Sequence, residues 1–338
     1  MIDLRAALQA ERPGLDDAIA RVVAYRPGQP LAPASADARL RAMIDEHLET
    51  GGKRLRGLLP AALVRAEGGP VEAAATLGAC LELLHNGTLV HDDIQDGDQM
   101  RRGRPTLWKV HGVPQAINVG DALYAAPLAV IAADPSVPTR HRGALAALLA
   151  GALLETIRGQ VADLDLHGDE EPPRAQLEAV AVAKTAPFFA AAIHGAALLL
   201  DHDGGDAAHV AGRALGLGFQ LRDDLLDLVG SKGRGAAGAD LREGKLTLPG
   251  RLALEGASEA EEFALRALLS RAAAGDVPSD EEVAHWVAWI HARGGVEGGR
   301  IALDELLAEA EDAGRRALPA AAAEVFAAFV SRLGALDG

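Results

Sequence analysis

Two short acidic clusters constrain the fold of this chain more than any other feature. Asp92-Asp93-Ile94-Gln95-Asp96 and Asp223-Asp224-Leu225-Leu226-Asp227 each place carboxylates at i, i+1 and i+4, inside segments with helical apolar spacing. On a helix, i and i+4 share a face one turn apart, and like charges so placed repel by roughly a few tenths of a kcal/mol. A single such cluster reads equally well as a solvated acidic face. Two of them, both in apolar helical stretches, point to a cation that relieves the repulsion. A hard cation such as Mg²⁺ takes oxygen ligands, commonly one or two carboxylates plus substrate phosphates. The clusters lie 131 positions apart, so only tertiary structure can make them act together. A helical bundle with side chains facing inward from several helices is the natural solution.

The apolar content supports helix. The chain has 338 residues, 49% hydrophobic but only 3% aromatic, and the apolar residues are mainly Ala, Leu and Val. Ala and Leu favour helix, and long strand-like alternation is hard to find. The expectation is an all-α fold, read as a single domain over residues 1–338. A net charge of −15, from 48 acidic and 33 basic residues, argues against nucleic acid as a partner, because phosphate backbones need a basic surface. The lone cysteine, Cys80, lies in an apolar stretch, which suits a small core residue in a reducing cytoplasm. The N-terminus carries no signal-peptide pattern. The longest apolar runs, Gly143–Leu154 and Ala186–Leu200, are short for a membrane span and read as buried helices.

Breaker-rich segments at 26–35, 167–173, 201–206, 230–238, 275–280 and 294–299 separate helical patterns without forming a clear domain linker. Pro187 removes a backbone donor inside one of these patterns and disfavours α geometry at Ala186, so the helix is expected to break or kink just after Lys184-Thr185. Pro127 reads as a tolerated kink.

Anion-binding side chains accompany the carboxylates. Gly51-Gly52-Lys53-Arg54-Leu55-Arg56 sets two glycines before three cations; the glycines permit close backbone approach, and Lys and Arg bind phosphate as point charge and fork. Arg101-Arg102-Gly103-Arg104-Pro105-Thr106 follows the first cluster by five residues. Lys184-Thr185 and Gly244-Lys245-Leu246-Thr247 are individually weak signals. Their order is far more specific: Gly-Gly-Lys-Arg-Leu-Arg, His-x6-Asp-Asp-x2-Asp, Arg-Arg-Gly-Arg-Pro-Thr, Gly-Gln, Lys-Thr, Phe-Gln-x2-Asp-Asp-x2-Asp and Gly-Lys-x-Thr. From about residue 35 to 335 the chain closely resembles the trans-isoprenyl diphosphate synthases of the polyprenyl synthetase family.

The resemblance implies a helical bundle around a central cavity, a homodimer and a Mg²⁺-dependent condensation. The allylic diphosphate is expected on magnesium held by Asp92, Asp96 and Asp223, with Asp93, Asp224 and Asp227 in support and Arg101, Lys184 and Lys245 on the diphosphate. Isopentenyl diphosphate is expected on Lys53, Arg56, His85 and Arg102, with Thr185 and Gln220 near the reacting carbons. His85 lies seven residues before Asp92, on nearly the same helix face. Gln160 and Asp163 match a supporting Gly-Gln-x2-Asp segment, and His91 reads equally as packing. Gly57 stands where the family often has proline, the third acidic residue after the first pair is shifted by one, and Gly235 stands where a lysine is common, leaving Lys232 or Arg234 as substitutes. Family members that stop early carry bulky aromatics four or five residues before the first Asp. Here those positions are Thr88 and Gly87, which are expected to leave room for products of twenty carbons or more, with Leu84 or Tyr124 as deeper stoppers. A class I terpene cyclase usually lacks the second Asp-Asp-x2-Asp and the Gly-Gly-Lys-Arg clamp. A non-catalytic partner subunit typically loses a cluster. All these features are present.

Overall fold

Fifteen helices and one two-residue strand pair make up the residues that the computed structural model describes, 2–26, 28, 31–166, 174–230 and 237–334. The helices are α1 Leu4–Val23, α2 Ala34–Leu48, α3 Leu55–Ala66, α4 Val71–Gln95, α5 Leu107–His111, α6 Val113–Ala133, α7 Thr139–Leu166, α8 Arg174–Leu199 and α9 Gly205–Leu228. They continue with α10 Ala239–Arg242, α11 Leu248–Leu254, α12 Glu259–Ala273, α13 Asp280–Ala292, α14 Gly295–Ala317 and α15 Ala320–Gly334. Strands β1 (Met100–Arg101) and β2 (Arg104–Pro105) pair antiparallel, with Arg101 opposite Arg104. The all-α expectation holds.

The chain forms two compact units. The first comprises 1–157, 187–212 and 313–328; the second comprises 158–186, 213–312 and 329–338. In the first, α4 packs on α1, α3 and α6 around fully buried Leu59, Leu63, Leu77, Leu81 and Leu84, with Phe188, Phe189 and Phe326. In the second, the core includes Leu225, Leu241, Leu265, Ile290 and Leu303. Ser258 and Ser279 each close a capping box with a glutamate three residues on, which satisfies orphan donors and fixes where α12 and α13 begin.

With so few aromatics, helices approach through Gly and Ala. A Cβ on Gly159 of α7 would lie 2.8 Å from the Lys184 nitrogen, and one on Gly216 of α9 would lie 2.8 Å from the Ala186 Cα. Both contacts lie in the second unit and clamp α8 where a break was expected. The helix instead runs through Pro187, with Gly159 packed on Ala183 and Lys184 and Gly216 on Ala186 just before it. Helix α6 likewise runs through Pro127, whose carbonyl accepts the Cys80 thiol at 3.4 Å. Burial pushes that thiol far up, which makes Cys80 an inert core residue.

Three segments, Val113–Ala133, Thr139–Leu166 and Glu178–Leu199, are long and apolar enough by length and composition to cross a membrane. Part of their apolar surface serves as core: Val119, Leu123 and Ile131 of α6, Leu145 and Leu149 of α7, and Ile193 of α8 are at most 1% exposed.

Candidate active site

The first acidic cluster occupies the last turn of a long helix, and the second spans the last two turns of another. Asp92 and Asp93 lie in the final turn of α4, with Asp96 as its C-cap, and Asp223, Asp224 and Asp227 lie at the end of α9. Neither last turn contains a basic residue. Carboxylates at a helix C-terminus face the negative end of its dipole, a cost of roughly 0.3–1 kcal/mol each, added to their mutual repulsion. The arrangement is locally unfavourable on two counts, and a cation relieves both.

Within each cluster the aspartates divide their work. Asp93 is buried and accepts a hydrogen bond from Arg101 Nε at 2.6 Å. Burial raises its carboxyl above the usual range, and Arg101 opposes that shift. Asp224 is buried and accepts from Gln220 Nε2 at 2.8 Å. Asp227 is buried and accepts from the backbone N–H groups of Ala239 and Asp240 at 3.2 and 3.1 Å, which ties the end of α9 to α10. Asp92 and Asp223 are half-buried and Asp96 is exposed. Among the described residues no three His, Cys, Asp or Glu side chains gather into a ready-made metal cage. Magnesium does not require one, since substrate phosphates complete its shell. Carboxylate oxygens are hard donors, so Asp92 and Asp96 in the first unit, and Asp223 in the second, are each of a chemistry that suits such a cation.

The first unit also assembles the basic segments. Gly51 and Gly52 have positive φ, and the Gly51 carbonyl accepts a hydrogen bond from Arg102. A Cβ on Gly52 would lie 2.8 Å from Arg102 Nη1, so glycine lets the two basic segments touch. Lys53 is exposed beside them, and the Arg56 guanidinium stacks 4.5 Å above the Phe189 ring. His85 packs edge-on to Phe188, and its pKa is driven well below the ordinary value by burial and then by the charges of Arg56, Arg102 and Arg101. A neutral imidazole among three arginines marks a region of positive potential suited to a diphosphate.

The second unit builds around the Gly-Gln-x2-Asp segment. Gly159 brings α7 against the backbone at Lys184, and Lys184 Nζ then reaches Asp163 Oδ2 at 2.7 Å. Thr185 and Gln160 are half-buried next to this pair in sequence. Lys245 is exposed and pairs with Glu243 at 2.8 Å. Lys232, Arg234 and Gly235 lie outside the described residues.

The space expected beside Gly87 is filled. A Cβ there would lie 2.6 Å from Tyr124 Cε1 and 3.2 Å from Leu123 Cβ, so Gly87 lets α4 and α6 close on each other rather than leaving a passage. Thr88 is half-buried, and its hydroxyl bonds to the His85 carbonyl of its own helix at 2.7 Å. His91 packs edge-on to Tyr124, and a Cβ on Gly120 would overlap its ring, so helix packing accounts for it.

Two residues escaped the sequence reading. Glu82 is a lone carboxylate in an otherwise apolar run, a signal that was legible. His47 carried no signal: it is 3% exposed and bonds to Asn86 Oδ1 at 3.1 Å. Burial, then Arg101, lowers its pKa to about 4. Unfolded, the same imidazole binds a proton below about pH 6.5. The unfolded state therefore gains protons first as pH falls, and stability declines between about 6.5 and 4, by roughly 3 kcal/mol in total. Of the stability that denaturant titrations show lost between pH 7 and pH 5, His47 should account for about 2 kcal/mol, beside the loss contributed by His85. His47→Gln, which retains a partner for Asn86, should lose markedly less.

Comparison with known proteins identifies the family. The polyprenyl synthetase family model matches residues 37–285, and the chain belongs to that family. A geranylgeranyl diphosphate synthase of Mycobacterium tuberculosis is 38% identical over 217 residues, covering 62% of this chain and 61% of that relative. The match thus spans about three fifths of that relative's length. A polyprenyl synthetase structure from Streptomyces coelicolor superposes with a TM-score of 0.85 at 28% identity, covering 98% of this chain and 99% of that one. A Caulobacter crescentus polyprenyl synthase, complexed with calcium and isoprenyl diphosphate, gives 0.79 at 26% identity over 98% of this chain and 96% of its own.

Proposed function

We propose that this chain is a chain-elongating prenyltransferase that condenses isopentenyl diphosphate with an allylic diphosphate, head to tail and trans, to give geranylgeranyl diphosphate or a longer product. The observation that carries the reading is the pair of Asp-Asp-x2-Asp clusters, each near the C-terminal end of a long helix whose last turn holds no basic residue. A divalent cation and a diphosphate together would ease the repulsion among these carboxylates. The names of the relatives and the calcium and isoprenyl diphosphate in the Caulobacter structure support it.

Asp92, Asp96 and Asp223 would hold magnesium with the allylic diphosphate, while Asp93, Asp224 and Asp227 keep the surrounding groups in place. Magnesium held there would supply positive charge against the charge developing on the leaving diphosphate. Lys184, Lys245 and Arg101 add fixed positive charge to the same group, and such preorganised donors are worth roughly 10²–10³ in rate apiece. Lys53, Arg56, Arg102 and the neutral His85 hold isopentenyl diphosphate so that its double bond faces the allylic carbon, which removes much of the entropic barrier. Thr185 and Gln220 flank the reacting carbons. Aliphatic walls exclude the water that would quench an allylic cation. The proton lost on closing the new double bond passes to the released diphosphate.

Incubating the protein with isopentenyl diphosphate, an allylic diphosphate and magnesium should yield products of twenty carbons or more, none without the metal. Cyclised hydrocarbon, or no product, would overturn the proposal. Arg56→Ala and Arg102→Ala each remove a charged hydrogen bond worth about 1.5–3 kcal/mol, so the isopentenyl diphosphate KM should rise about 10–100-fold. The allylic KM should stay nearly constant. Equal rises in both KM values would refute the assignment.

The same reading places the enzyme in the cytoplasm as a homodimer. Val110, Val113 and Ile117 near the start of α6, with Leu154 and Ile157 of α7, are exposed apolar side chains that a second copy would cover. A monomeric mass in sedimentation equilibrium would contradict this.

A further inference from the structure

We infer that Glu82 is a positioning residue: its buried carboxylate fixes the first turn of α3 and so sets Arg56 for isopentenyl diphosphate, an inference that rests on the reading under Proposed function. Glu82 lies in α4 between Leu81 and Leu83 and is 5% exposed. It accepts a hydrogen bond from the Gly57 backbone N–H at 3.0 Å. Gly57 is the third residue of α3, and the first N–H groups of a helix have no partner within it. Arg54, at the N-cap, is left-handed with φ 50° and makes no side-chain cap bond. A carboxylate from a neighbouring helix therefore does what a capping side chain does elsewhere, and it meets the positive end of the α3 dipole.

Two glycines make this contact possible. A Cβ on Gly57 would overlap the Glu82 side chain, and one on Gly78 would overlap the Gly57 carbonyl. Only with both positions bare can α3 come near enough to α4 for the bond. Proline, which the family often has at position 57, could not donate it at all. Arg56 is the residue before Gly57, so the same bond fixes its backbone, while the Phe189 ring fixes its guanidinium.

Opposing influences act on the Glu82 carboxyl. Burial raises its pKa, and Arg56, the Gly57 N–H, Arg54 and Arg102 pull it back down, in that order. From the same residue, the Glu82 carbonyl accepts Asn86 Nδ2 at 2.7 Å, and Asn86 Oδ1 holds His47. One turn of α4 therefore ties α3, α2 and the clamp together.

Three variants separate positioning from bulk packing. Glu82→Asp keeps the charge but withdraws the carboxylate from Gly57. Glu82→Gln keeps the acceptor without the charge, and Glu82→Leu removes both. Glu82→Asp and Glu82→Leu should raise the isopentenyl diphosphate KM about tenfold or more, with the allylic KM within about twofold, while Glu82→Gln recovers most of the loss. If Glu82→Leu fails to fold, Glu82→Asp gives the same readout. An unchanged isopentenyl diphosphate KM in folded Glu82→Asp, or parallel rises in both KM values, overturns the inference. Wild-type protein that condensed no diphosphates would overturn the functional reading, and the inference with it. Wild-type turnover beside an unshifted Glu82→Asp overturns the inference alone.

Discussion

Asp92→Ala and Asp223→Ala are each expected to lower condensation by about 10²–10³ or more while leaving the helices intact. Both side chains are half-buried at helix C-termini, so their removal takes negative charge away from the negative end of a dipole. The melting temperature without magnesium should therefore hold or rise slightly. The stabilisation that magnesium and diphosphate add to the wild type should shrink, because a ligand stabilises only in proportion to its affinity for the folded state. Asp93→Ala and Asp227→Ala should behave differently. The first strands Arg101, and the second strands two backbone N–H groups near α10, so each loses stability as well as rate. Circular dichroism, melting curves with and without magnesium diphosphate, and single-turnover rates distinguish the two patterns. Near-normal turnover in well-folded Asp92→Ala or Asp223→Ala would sink the two-cluster site.

Phenylalanine at Gly87 should damage the fold, whereas phenylalanine at Thr88 should shorten the product. At Gly87 even a Cβ meets Tyr124 Cε1 at 2.6 Å, and a whole ring must displace a helix. Overpacking of this kind costs roughly 1–3 kcal/mol or more, so Gly87→Phe should melt well below the wild type. At Thr88 the loss of a bond to its own helix costs little, and the ring enters a half-buried surface one turn before Asp92. Thr88→Phe should then hold products to fifteen carbons or fewer while the first condensation survives. Tyr124 occupies the space that Gly87 vacates, and the nearby Asp92 charge joins burial in raising its phenol pKa. Tyr124→Ala should accordingly lengthen the product. Chromatography of dephosphorylated products beside melting curves tests all three. An unchanged product distribution from active, well-folded Thr88→Phe would place the length stop elsewhere.

The acidic clusters, the basic segments and the all-helical fold were legible in the sequence because each is a local pattern. Carboxylates at i and i+4 share a face wherever the helix lies, and Ala-Leu periodicity declares helix without reference to a partner. The family followed from the order of those patterns along the chain. Only tertiary structure decided what each glycine and each second aspartate does. Gly159 lets Lys184 reach Asp163, Gly57 and Gly78 let Glu82 cap α3, and Gly87 admits Tyr124 where the sequence promised open space. Helix α8 stays continuous at Pro187, with Gly159 and Gly216 packed against its residues 183–186, although the local preference there is to break. A glycine in a sequence states that a side chain is missing. Whether that room goes to solvent, to a ligand or to another helix depends on which distant segment packs there, and close packing between helices settles the choice.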